Sequence, residues 1–202
     1  MKTSKLAIKI TILITTGLFF LSCNPIEKDT QSASMLTIES IQGTDMEGNS
    51  VDYLQSDVLF VDSTTGTESI TADSATATLR AKLLDPSSIT GPSQYNDIQL
   101  TRYVVSYSRS DGKSREGIDV PYSFEGSLSK MIKIETSTAV SFVIVREVSK
   151  AEPPLINLRE GRGEGVLQVT AKIDFYGHDL ANRNVKATGY LTIYFANYVN
   201  EQ

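Results

Sequence analysis

The stretch VLQVTAKIDFYGHDLANRNVKATGYLTIYF, residues 166–195, contains two runs in which apolar and polar residues alternate with period two. Leu167, Val169, Ala171, Ile173 and Phe175 alternate with Gln168, Thr170, Lys172 and Asp174. After the turn-like GHDLANRN, Ala187, Gly189, Leu191, Ile193 and Phe195 alternate with Lys186, Thr188, Tyr190, Thr192 and Tyr194. Successive side chains of a strand point to opposite faces, so each run has one apolar and one polar face. That pattern predicts antiparallel strands with a core side and a wet side.

Working outward, Ala77, Leu79, Ala81 and Leu83 repeat the alternation against Thr76, Thr78, Arg80 and Lys82. Further segments rich in Val, Ile, Tyr and Thr and bounded by Gly, Pro, Asn and Asp predict strands at 35–41, 57–62, 99–109, 129–135 and 139–147. No segment carries a long 3.6-residue apolar repeat. The expected fold is therefore all-β: a single antiparallel β-sandwich over 35–202, with an up-and-down barrel as the alternative.

GTDMEGNSV (43–51) and GHDLANRNV (177–185) share Gly, Asp and Val at matching places, with Gly48 against Asn182. Each follows an apolar strand and precedes another, and Gly or Asn at the sixth place suits a positive φ. One hairpin turn used twice is the expectation. The second copy, with its D-x-x-N-x-x-V spacing before the last strand, resembles the corresponding turn of bacterial immunoglobulin-like domains. The resemblance spans about twenty residues and implies an immunoglobulin-like sandwich, with no activity attached.

The only cysteine of the 202 residues, Cys23, stands in FLSCNP (20–25). Lys2, Lys5 and Lys9 precede a nearly unbroken apolar run, Ile10 to Leu21, as in a secretory signal. That run falls short of the roughly twenty residues that span a bilayer. Phe20-Leu21-Ser22-Cys23 resembles the lipobox of bacterial lipoproteins, with Phe20 in place of the usual Leu. The resemblance implies a signal peptide over 1–22, diacylglycerol on the Cys23 sulfur, and a membrane anchor of two or three acyl chains. At about 0.8 kcal/mol per buried CH₂, two chains hold a protein firmly where one does not. Asn24 after the acylated residue resembles lipoproteins sent to the outer membrane. The polar NPIEKDTQSAS, 24–34, reads as a flexible spacer, so 23–34 is expected to link lipid and folded domain.

Charge and composition exclude several functions. The chain carries −5, and losing the three leader lysines takes the remainder from Cys23 onward to −8. An acidic body disfavours capture of phosphate backbones, so nucleic acid is not an expected partner. Without further cysteine there is neither a disulfide framework nor a cysteine zinc site. His178 is the only histidine, which rules out paired-histidine metal sites and leaves its expected role that of a turn residue. No G-x-S-x-G, phosphate-binding glycine loop or H-E-x-x-H occurs. No cofactor or catalytic residue is expected, although two carboxylates alone suffice to hydrolyse a glycoside.

Three further features bear on binding. Asp45, Glu47 and Asn49 place oxygens at alternate positions as a calcium loop does, but Ser50 and Ser56 stand where the turn glycine and bidentate glutamate belong. Asp45 and Asp179 are expected to bond their own turn backbones instead. Tyr176, Tyr190 and Tyr194 lie on polar strand faces and form a candidate binding face for sugar rings or a protein partner. Two segments, 108–126 and 149–165, carry Lys113, Arg115, Arg159 and Arg162 and are expected as long loops, either binding elements or solvated connections. The function expected is a non-enzymatic, lipid-anchored envelope protein at the outer membrane, facing the periplasm or the surface. It acts by contact with an envelope protein, or alternatively with a glycan.

Overall fold

In the computed structural model, residues 32–62, 64–88, 91–159 and 165–198 are described. Cys23, the signal segment and most of the spacer lie outside them. Eleven strands follow in chain order among the described residues: β1 (Ser34–Thr44), β2 (Ser50–Val51), β3 (Tyr53–Asp57), β4 (Phe60–Val61), β5 (Glu68–Ser69), β6 (Asp73–Leu83), β7 (Ile98–Ser108), β8 (Phe124–Ile132), β9 (Ser137–Val145), β10 (Val166–Asp179) and β11 (Asn184–Ala196). Two short helices, α1 (Glu147–Lys150) and α2 (Leu155–Arg159), separate β9 from β10.

One sheet has the order β2-β1-β6-β9 and the other β3-β11-β10-β7-β8, with β4 and β5 a small separate ribbon. The fold is an all-β sandwich rather than a barrel. Its partition, with β1-β6-β9 against β11-β10-β7, is that of immunoglobulin-like sandwiches, whose A, B and E strands face C, F and G. One strand departs from the antiparallel expectation: β3 runs parallel to β11, pairing Tyr53 with Thr192 and Asp57 with Ala196. The chain leaves the first sheet after β2 and joins the edge of the second.

The period-two reading of 166–195 holds along both strands, with Asp174 the one polar-face residue that is also buried. Leu167, Val169, Ala171, Ile173 and Phe175 are buried, as are Leu191, Ile193 and Phe195, and β10 pairs with β11 from Val166–Ala196 to His178–Asn184. Gly189 sits at an apolar position because a Cβ there would collide with Ile41 and Ile38 of the opposite sheet. At the centre, Phe142 of β9 lies 5.2 Å from both Tyr103 and Phe175, edge to face, and the Tyr107 hydroxyl donates to the Ile144 carbonyl at 2.6 Å. These contacts join the two sheets across the core.

Several boundaries differ from expectation. The strand expected at 57–62 is β3 ending at Asp57, then the two-residue β4; the apolar VLFV run is split because Val58 and Leu59 are buried in the bend between them. The strand expected at 129–135 begins earlier, at Phe124, so the loop expected over 108–126 is shorter. Within it Val120 is fully buried and Arg115 bonds Asp119 at 2.7 Å. The other expected loop, 149–165, contains both helices' buried residues Ser149, Lys150, Leu155 and Leu158, so its described part covers the core. A β-bulge after Ile38 resets the parity of β1, which leaves Leu36 and Ile41 both inside. Within the segment expected as spacer, Ser32 and Ser34 are buried, and β1 already begins at Ser34.

The repeated turn is present in both places. Asp45 N–H donates to the Asn49 carbonyl and Gly48 N–H to the Asp45 carbonyl, each at 3.1 Å; Asp179–Arg183 and Asn182–Asp179 reproduce the pair at 2.9 and 2.8 Å. Gly48 and Asn182 have φ of 83° and 63°. A third copy at Arg109–Lys113, with Gly112 at the same place, escaped sequence reading because Arg replaces the leading Asp. The copies differ in burial: Asp179 is 1 % exposed and accepts from the Ser32 hydroxyl at 2.7 Å and Arg183 N–H at 2.9 Å. Asp179→Ala is expected to cost about 2–3 kcal/mol, the loss of charged hydrogen bonds with donors left buried. Asp45→Ala, at the exposed copy, should shift the urea midpoint far less. Equal midpoint shifts in paired denaturation curves would refute the distinction.

Candidate functional site

The outer face of the five-stranded sheet collects side chains from β7, β8, β10 and β11. Register places Arg102 and Lys186 on either side of Tyr176, and Thr188 and Val104 on either side of Asp174. The Arg102 guanidinium stacks 3.9 Å from the Tyr176 ring centre, and Lys186 Nζ lies 5.1 Å from it. A cation over an aromatic face is held by the ring quadrupole. Arg102 also pairs with Glu125 at 2.9 Å.

Asp174 organises the neighbouring cations. Its carboxylate accepts from the Thr188 hydroxyl at 2.6 Å and faces Lys186 at 3.1 Å and Lys172 at 3.3 Å. Burial pushes the Asp174 carboxyl up, but the Thr188 hydroxyl and the two ammonium groups outweigh it and hold the group below the usual carboxylate range. Hydrogen bonding to Asp174 raises Lys186 in turn. Beside this network an open cleft of about 410 Å³ is lined by Thr101, Arg102, Tyr176, Gly177, His178, Asn184, Val185 and Lys186. Among the described residues no carboxylate lines it. Three cations against two acids make Arg102, Lys172, Lys186, Glu125 and Asp174 a locally positive patch on an acidic chain.

The three tyrosines share this face without forming one contiguous stripe. Tyr176 pairs with Lys186, Tyr190 with Lys172 and Tyr194 with Gln168, so each lies four residues along the sheet from the next, about 13 Å at 3.3 Å per residue. Tyr194 meets Tyr53 edge to face at 5.9 Å and Tyr176 is engaged by its cations, which leaves Tyr190, 63 % exposed, as the open ring. His178 Nδ1 lies 3.0 Å from the Asp179 carbonyl oxygen, at the edge of the cleft. Asp45 Oδ1 accepts from the N–H groups of Glu47 and Asn49, the turn role expected of it. Among the described residues no three His, Cys, Asp or Glu side chains cluster as metal ligands. Lys113, Arg115 and Arg159 pair with Asp111, Asp119 and Glu68, while Arg162 lies outside the described residues.

A second polar cluster lies inside the fold, and nothing in the sequence marked it. Lys150 of α1, 1 % exposed, reaches Asp73 at the start of β6, with Nζ 2.9 Å from Oδ2 and 3.1 Å from Oδ1, and donates to the Asp57 carbonyl at 2.7 Å. The Ser56 hydroxyl donates to Asp73 Oδ2 at 2.6 Å. Desolvation raises the Asp73 carboxyl, against the opposing pull of Lys150 and Ser56, and raises Asp57 as well.

No protein-family model matches the chain, and no curated protein matches it. Its own residues therefore carry the functional argument. Sequence reading found Tyr176 but missed Arg102, which the register of β7 on β10 brings over the ring. Because Asp174 is held below the usual range, its contribution to stability is present above that range and is lost as pH falls through its folded value. Asp174→Asn is expected to destabilise by about 1–2 kcal/mol at neutral pH, with the gap to the parent closing below the carboxylate range. Melting curves showing a pH-independent gap would contradict this assignment.

Proposed function

We propose that the chain is a lipid-anchored envelope protein that acts by binding and not by catalysis, with the outer face of the five-stranded sheet as its contact surface. The observation that carries this reading is the patch in which Arg102 and Lys186 flank Tyr176 beside an open cleft. Half-buried arginine and tyrosine held on a sheet face supply contact area at small entropic cost. The positive character of the patch selects a partner presenting carboxylates, an envelope protein segment with acidic side chains. Acyl chains on Cys23, followed by the polar spacer, hold this surface near the outer membrane. Among the described residues no helix is long and apolar enough to cross a membrane.

A glycan is the second reading, favoured by the open ring of Tyr190 on the same face. Cross-linking in intact cells separates the two. Charge reversal of Arg102→Glu with Lys186→Glu is expected to reduce the protein adduct about tenfold, the effect of 1.4 kcal/mol lost at the contact. An undiminished adduct would remove the sheet face as the contact surface, and loss of glycan binding in Tyr190→Ala would favour the sugar reading. Cys23→Ser should abolish acylation and release the protein from the membrane fraction; retention with an unchanged amino-terminal mass would overturn the anchor.

A further inference from the structure

We propose that Lys150 and Asp73 condense to an intramolecular amide, a covalent tie between α1 and the first residue of β6. Both carboxylate oxygens of Asp73 lie within 3.1 Å of Lys150 Nζ, which leaves the nitrogen on the order of 3 Å from Cγ, near-attack distance. Rotation about the Asp73 Cβ–Cγ bond turns the carboxyl face toward the amine. The pair is 77 residues apart in sequence, so only the fold brings it together.

The chemistry balances without a co-reactant. A proton passes from the Lys150 ammonium to the Asp73 carboxylate, giving a free amine and a carboxylic acid. The nitrogen lone pair then forms a bond to Cγ, and the resulting tetrahedral carbon expels its protonated oxygen. That oxygen leaves as water with a proton from the nitrogen, and one N–H remains on the amide. Charge is neutral before and after.

The surroundings favour each step. A fully buried ammonium and a largely buried carboxylate lose hydration that their mutual attraction repays incompletely, and the amide removes both charges. Desolvation raises Asp73, which lowers the cost of protonating it. The Ser56 hydroxyl, held on Oδ2, stabilises negative charge developing on that oxygen. Asp57 adjoins the pair through its backbone carbonyl, which accepts from Nζ and orients the amine. The hydrogen bonds from Nζ to both Asp73 oxygens carry the proton from nitrogen to the departing oxygen directly. Asp73 keeps 18 % side-chain exposure, which gives the water a way out. Fixed reactants reach effective molarities on the order of 10⁵ M or more, enough to oppose hydrolysis by bulk water.

Intact-mass measurement of the purified, folded chain tests this directly. The expected mass is lower than that of the sequence, corrected for any acyl groups, by one water. Tandem spectra of a digest should then show one branched peptide joining the segments of Lys150 and Asp73. Lys150→Arg should restore the full mass, and so should Asp73→Ala. A full mass in the folded parent overturns the proposal whatever the variants do. So does a water lost elsewhere, such as at Asp111-Gly112, with no branched peptide.

Discussion

The register of β10 against β11 is the constraint on which the rest depends. Their thirteen paired positions put Leu167, Val169, Ala171, Ile173 and Phe175 on the same side as Leu191, Ile193 and Phe195. A slip of one residue would move that whole set to water and bring Lys172, Asp174 and Tyr190 inside. With no disulfide available, the correct register is held by the turn at Asp179 and by the apolar layer itself. Phe175 then stands where Phe142 of the opposite sheet meets it edge to face, which joins the sheets.

The same register builds the outer surface as its complement. Tyr176 pairs with Lys186 because Phe175 pairs with Ala187, and Asp174 meets Thr188 for the same reason. On the β7 side, the unbroken register from Thr170–Ser108 sets Arg102 against the tyrosine, and the bulge that skips Thr101 comes just beyond it. The proposed contact surface and the core are thus two faces of one pairing. The surface is rigid for that reason, and its charges are held by hydrogen bonds and stacking in place of flexible loops.

The buried Lys150 cluster follows another logic. Polar groups inside an apolar sandwich are costly unless paired, and here a lysine, an aspartate and a serine satisfy one another at the end where β3, β6 and α1 converge. The segment after β9 does more than connect strands. Leu155 and Leu158 of α2 add to the core while Lys150 of α1 ties the start of β6.

Period-two alternation determined by itself that this is an all-β chain with one wet and one buried side per strand, because a pleated strand sends alternate side chains to opposite faces whatever its neighbours are. The turn at 43–51 and 177–185 was legible for a similarly local reason: an aspartate that bonds its own backbone and a Gly or Asn at positive φ act within five residues. Strand ends were less legible where Val58 and Leu59 are buried in a bend, since an apolar run does not say whether a strand or a corner buries it. Tertiary structure alone decided the parallel pairing of β3 with β11, the stacking of Arg102 on Tyr176, and the meeting of Lys150 with Asp73. Those contacts join segments far apart in the chain, and their partners are chosen by register and sheet packing, which no local pattern encodes.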